Sequence, residues 1–197
     1  MDLRYCSRSR LPRSILAIPG SLGSQSSNRV LLEALQKLAP GNTEIAIFDG
    51  ISELPYFNPY FDREGTEAPS SVARLRAQIA EATGLIISTP EYAHGIPGVL
   101  KNALDWLVSS PAIVGKPVGL VFGSAGDARF AQASLTEILR TMSARLVAGA
   151  VLNIPGTRGK IDKDGKVVDA QITAQLRGVI DAIVNATDTG GAVAVRR

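Results

Sequence analysis

Two stretches of this 197-residue chain combine residue types and spacing that could do chemistry. The first, Gly20-Ser-Leu-Gly-Ser-Gln-Ser-Ser-Asn28, sets four serines and an asparagine just ahead of Val30, Leu31, Ala34, Leu35 and Leu38, which recur at helical spacing. Unpaired backbone N–H groups and the positive end of a helix dipole favour an anion there, and the hydroxyls of Ser21, Ser26 and Ser27 can donate without fixed charge. The same residues would also serve a helix that is merely capped, so the loop by itself leaves both readings open. A dinucleotide fingerprint needs G-x-G-x-x-G, whereas only Gly20 and Gly23 are present, and no lysine supplies a Walker loop. A mononucleotide phosphate fits better than either. Asp49, at the end of the second strand where a ribose-binding acid would stand, then reads as a solvated strand-end residue.

The second stretch runs from Ser88 to Trp106. Pro90, Gly95, Pro97 and Gly98 restrict its backbone so that amides and carbonyls, rather than charged side chains, can face a flat heteroaromatic ligand, with Tyr92 as a ring wall. Pro97 then opens a helix whose inward face is Leu100, Ala103, Leu104 and Leu107, leaving Lys101, Asn102 and Asp105 on another side. A third loop, Gly123-Ser-Ala-Gly126 continuing to Arg129, has similar small-residue composition. Several residues carry two readings. His94 suits a substrate contact or proton donor, or a loop-capping or subunit-contact role. Glu91 suits bonding to the loop backbone or to a partner subunit, and Trp106 a core or interface position. Arg129 suits a nucleotide phosphate or a surface salt bridge.

Other chemistries are poorly served. The single cysteine, Cys6, cannot form an intramolecular disulfide, and the single histidine precludes a multi-histidine metal site. The segment from Gly159 to Val167, with Asp162, Asp164 and Gly165, reads as a polar hairpin turn, because the closing glutamate of a calcium loop is missing. The chain carries a net charge of +3, yet the first thirteen residues contribute +3 and the last two contribute +2, so the body carries −2. Basic character confined to the ends argues against nucleic-acid binding. No apolar run is long enough to cross a bilayer, and the expectation is a cytoplasmic protein with no membrane or nucleic-acid partner. Residues 1–13 read as a disordered extension, although Arg-rich, acid-poor composition is also that of a transit segment, and residues 188–197 read as a flexible tail.

Around these loops, short apolar runs alternate with helical periods. Strands are expected at 14–19, 43–48, 84–88, 117–122 and 145–154. Helices follow from Asn28, over 72–82, from near Pro97, over 130–142 and over 170–186. Short strands buried on both faces predict one α/β domain over 14–187, a parallel sheet with helices on both faces. In such sheets ligands bind beyond the carboxyl ends of the strands, and all three loops leave those ends.

At this point the motifs GSLGSQSSN from Gly20 and PEYAHGIPGVLKNALDW from Pro90 resemble the signatures of the NADPH-dependent FMN reductase family of quinone, azo-dye and chromate reductases. The similarity extends over about 14–154. It implies a flavodoxin-like three-layer sandwich, with a five-stranded parallel sheet in the order 2-1-3-4-5. It also implies bound FMN, with NADPH or NADH as donor. Ser21, Ser26, Ser27 and Asn28 would take the phosphate, and Pro90, Glu91, Tyr92 and Ala93 would line the isoalloxazine. Gly123, Ser124 and Gly126 would meet the pyrimidine edge, and Arg129 the NADPH phosphate. Gly23 stands where the family usually has arginine, and Ala93 where it usually has asparagine.

The resemblance further implies a ping-pong cycle in which a quinone, azo compound, flavin or metal oxyanion such as chromate follows NAD(P)H at the flavin, in a homodimer or homotetramer. The chemistry would rest on the flavin, with no catalytic side chain. The competing expectation is a flavodoxin-type electron carrier, which is typically far more acidic than this body.

Overall fold

The computed structural model describes residues 13–190, except 24, 25 and 64. Five strands form one sheet: β1 (Arg13–Pro19), β2 (Thr43–Ile47), β3 (Gly84–Thr89), β4 (Pro117–Ser124) and β5 (Arg145–Pro155). Every pairing is parallel and the order is β2-β1-β3-β4-β5, the order that the family resemblance implies. Helices α1 (Ser27–Leu38), α2 (Ser70–Glu81), α3 (Gly98–Asp105), α4 (Arg129–Thr141) and α5 (Ala170–Gly190) make the crossovers and the final layer.

The central strands read as near-continuous apolar runs because both faces are covered. Successive side chains of β1 divide between two cores. Leu16 and Ile18 join Val72, Leu75 and Ile79 of α2, Leu100 and Leu104 of α3, and Leu135 and Leu139 of α4. Ile15 and Ala17 join Leu31, Leu32 and Leu35 of α1, and Leu176, Ile180 and Ile183 of α5. The period of two thus sorts one strand's residues into both layers. On the outer strand β5, Val118 of β4 pairs with Leu146 but Leu120 with Val151, so residues 147–150 form a bulge. This irregularity within a run expected as one strand left no period to read.

Both expected domain boundaries shift outward. Arg13, assigned to the basic extension, is the first residue of β1 and is 5% exposed; its guanidinium donates to Asp188 Oδ1 at 2.7 Å and Oδ2 at 2.8 Å. Asp188, assigned to the tail, lies in α5, which runs to Gly190. The rest of the expected extension and tail lies outside the described residues. Among the described residues, no helix is long and apolar enough to cross a membrane.

Candidate functional site

A parallel sheet carries all its strand-to-helix turns at the carboxyl ends of its strands, and there this structure holds a cavity of about 1200 Å³. Its walls come from four loops. The first contributes Ser21, Leu22, Gly23, Ser26, Ser27 and Asn28; the second contributes Pro90, Glu91, Tyr92 and Pro97 to Val99. Gly123, Ser124 and Ala125 come from the third, and Gly156 to Gly159, beyond β5, from a fourth.

The first loop lies tightly against the sheet. Gly20 N donates to Ser88 O at 2.7 Å, and a Cβ at Gly20 would stand 2.5 Å from Thr89 Cβ, so only glycine allows this approach. Ser26 occupies the N-cap position of α1, yet its side chain makes no cap hydrogen bond. Its hydroxyl instead lies 2.6 Å from that of Ser21. Two hydroxyls are therefore brought together at a helix N-terminus whose dipole favours an anion. Asn28 lines the same cavity but is 2% exposed, and its amide is engaged by the protein: Nδ2 donates to Gly123 O at 2.8 Å, while Oδ1 accepts from Gly123 N at 3.0 Å and Ser88 Oγ at 2.9 Å. It ties α1 to the ends of β3 and β4, holding the first and third loops in register.

The second loop turns sharply after Tyr92. Tyr92 N donates to Gly95 O and Gly95 N to Tyr92 O, both at 3.0 Å, while Ala93 and His94 between them have φ of 48° and 59°. Two consecutive left-handed residues without glycine are costly, and asparagine bears that conformation better than alanine. The turn directs Ala93 and His94 away from the cavity: neither lines it, and the His94 ring stacks on Phe130 with centroids 4.3 Å apart. Of the two readings of His94, its place against Phe130 accords with a role within the loop rather than with a substrate contact. Gly126 and Arg129 also lie outside the lining, and the Arg129 guanidinium sits over the Phe130 ring at 4.7 Å, so the assignment of Arg129 to a nucleotide phosphate has no geometric support.

Polar groups of the long second motif mostly hold other parts of the protein. Residue Ala128 precedes α4 and has no side-chain oxygen, so Glu91 Oε2 does the capping from across the site, accepting from Phe130 N and Ala131 N at 2.9 Å each. Asn102 Nδ2 donates to Pro55 O at 2.9 Å, and Asn102 Oδ1 accepts from Phe57 N at 2.7 Å. Trp106, fully buried, donates from Nε1 to the same Pro55 carbonyl at 2.8 Å and packs edge-on against Phe57. The loop after β2 is fastened further by Asp62. Burial there raises its proton affinity, but hydrogen bonds from Ser109 and Arg76, with the Arg76 charge, outweigh that and leave the carboxyl below its ordinary range.

Nothing in the sequence reading placed Gly156 to Gly159 at the site. The signal available was positional: β5 is parallel to its neighbour, so the loop after it must leave the same edge.

The family model for NADPH-dependent FMN reductase matches residues 13–158, from the first residue of β1 to the fourth wall of the cavity. A curated NADH:(hydroxy)cinnamate reductase subunit of Vibrio ruber is 33% identical over 179 residues, covering 88% of this chain and 86% of its own length. A quinone reductase of Escherichia coli is 34% identical over 179 residues, covering 85% of this chain and 92% of its own. Among solved structures, a flavoenzyme NAD(P)H:(acceptor) oxidoreductase from Paracoccus denitrificans superposes with a TM-score of 0.78 at 30% identity, covering 90% of this chain and 98% of that one. Matched along its whole sheet and through all four walls of the cavity, this chain belongs to the NADPH-dependent FMN reductase family.

Proposed function

We propose that this oxidoreductase carries electrons from NAD(P)H to quinone-type acceptors through FMN held in the cavity at the carboxyl ends of the strands. The observation that carries the reading is the Ser21–Ser26 hydroxyl pair at the N-terminus of α1, opening into a cavity whose other walls include Pro90, Tyr92, Pro97, Gly98 and the small residues of the third loop. The fit to FMN follows from the donor set. A phosphate monoester needs several donors in one place, and the paired hydroxyls, Ser27 and the free N–H groups of the first helical turn provide them. A flat ring needs walls without bulky charged groups, and Pro90, Tyr92, Pro97, Gly98 and the third loop provide those. Glu91 lines the cavity, but its carboxylate is spent on α4. Ser21, Ser26 and Ser27 therefore hold the phosphate, Asn28 keeps the loops aligned, and Pro90 to Tyr92 with Gly123 and Ser124 flank the ring.

FMN, when bound, supplies hydride acceptance and onward electron transfer, and the protein supplies binding, orientation and local electrostatics. Leu22 and Tyr92, 62% and 60% exposed, flank an open mouth, which suits successive use of one face by NAD(P)H and a flat acceptor. Quinones are favoured because relatives at this identity bear that activity in their names. Azo compounds, free flavins and metal oxyanions such as chromate form the wider acceptor set, in a cytoplasmic homodimer or homotetramer. A flavodoxin-type carrier is the weaker alternative, since the body charge of −2 lacks the strong acidity such carriers use.

Anaerobic mixing of the FMN-loaded protein with NADPH and, separately, NADH tests the reading. Bleaching of the flavin absorbance by at least one nucleotide, followed by reoxidation on adding benzoquinone, is expected. Failure of both nucleotides to bleach it would overturn the proposal.

A further inference from the structure

One residue outside the recognised motifs adds a full positive charge to a cavity whose serine loop offers an anion only neutral donors. A phosphate monoester carries about −1.5 to −2 at neutral pH. A helix N-terminus offers about half a positive charge, and serine hydroxyls offer none. Among the described lining residues, Glu91 and Arg158 are the only ones with ionised side chains, and the Glu91 carboxylate is engaged with the α4 N-terminus. Arg158 is thus the single cation of the lining.

The placement of Arg158 is constrained. Gly156 N donates to Ala125 O at 3.2 Å, and Gly159 N to Gly156 O at 3.0 Å. Thr157, 2% exposed, donates its hydroxyl to Ile154 O and, at 3.4 Å, to Ser124 O. The loop bearing Arg158 is therefore fixed to the third loop, whose Gly123 is itself gripped by Asn28 in the first turn of α1. A short chain of hydrogen bonds connects the arginine's backbone to the helix end that presents the serines. The side chain itself is exposed and lines the cavity.

We propose that Arg158 supplies the positive charge for the phosphate of the flavin held in this cavity, and so makes the site select FMN over uncharged riboflavin. In this chain the cation comes from the loop after β5, while the serine loop has glycine at position 23. The inference rests on FMN being the ligand, and the experiment separates the two claims.

Apoprotein of the wild type, R158Q, R158K and the control K160Q, which removes a nearby charge outside the lining, is titrated with FMN and with riboflavin by quenching of flavin fluorescence. R158Q should weaken FMN binding about tenfold to a hundredfold, the range expected for one lost charge-assisted hydrogen bond. Riboflavin binding should stay unchanged, R158K should recover most of the loss, K160Q should match the wild type, and the salt dependence of FMN binding should flatten in R158Q. Unchanged FMN affinity in R158Q would overturn the inference, as would equal losses for FMN and riboflavin, or a loss of the same size in K160Q. Wild-type protein that bound neither flavin would instead defeat the FMN reading, and the inference with it.

Discussion

In the serine loop, the hydroxyls of Ser21 and Ser26 meet each other at the cavity wall; in the segment from Pro90 to Trp106, most polar side chains are bonded to other parts of the protein. Glu91 caps α4, Asn102 and Trp106 hold the loop at Pro55, and Lys101 pairs with Asp105 at 2.6 Å. The longer motif is the more recognisable one, yet most of its side-chain chemistry is spent on the scaffold, and it gives the cavity backbone and ring surface. The shorter motif spends Asn28 on the scaffold but keeps the Ser21 and Ser26 hydroxyls at the cavity wall. Recognisability and ligand contact are therefore different properties, and substitutions in the two regions should fail in different ways.

The largest expected effect lies in the scaffold motif. Trp106→Ala removes a fully buried ring and leaves the Pro55 carbonyl with one donor fewer, so unfolding in urea should show a loss of about 3–5 kcal/mol. Should the stability change stay below about 1 kcal/mol while FMN binding collapsed, Trp106 would belong to the site and the contrast between the regions would fail.

An intermediate effect is expected in the serine loop. Ser26→Ala removes a hydroxyl that makes no helix-cap bond, so stability should hardly change. FMN affinity should fall about tenfold to a hundredfold, as for loss of one hydrogen bond to a charged group. A melting temperature that dropped with FMN affinity unchanged would make the serine a structural cap after all.

The smallest effect sharpens the contrast within the second motif. Ala93 is left-handed at φ 48°, so Ala93→Asn should stabilise the turn by about 1 kcal/mol, a rise in Tm of about 2–4 °C for a chain of this size. FMN affinity should be unaltered, because the residue lies outside the cavity. An asparagine that changed FMN binding without changing Tm would show a ligand role that the geometry does not support.

How much of this was legible in the sequence differs from residue to residue. The alternation of apolar runs and helical periods determined the five strands, their crossovers and hence the parallel sheet, because burial on two faces leaves a local compositional trace. It determined, too, that the loops after β1, β3 and β4 share an edge, since parallel strands all end there. The sequence could not show that Glu91 would cap a helix 39 residues downstream, or that Asn28 would grip a glycine 95 residues away. Periodicity records which face of an element is buried, but not which partner's hydrogen-bond donors that burial brings near. The same limit hid Arg158: the polar turn expected from the sequence began only at Gly159, and it is the pairing of β5 with β4 that carries the arginine to the cavity. His94 carried two readings in the sequence, and the left-handed turn at Ala93 and His94 sets its ring on Phe130. Composition and period determined the scaffold and the edge where the site lies. Only the packing of the layers decided which side chains face the cavity, because hydrogen bonds between distant segments are chosen in three dimensions.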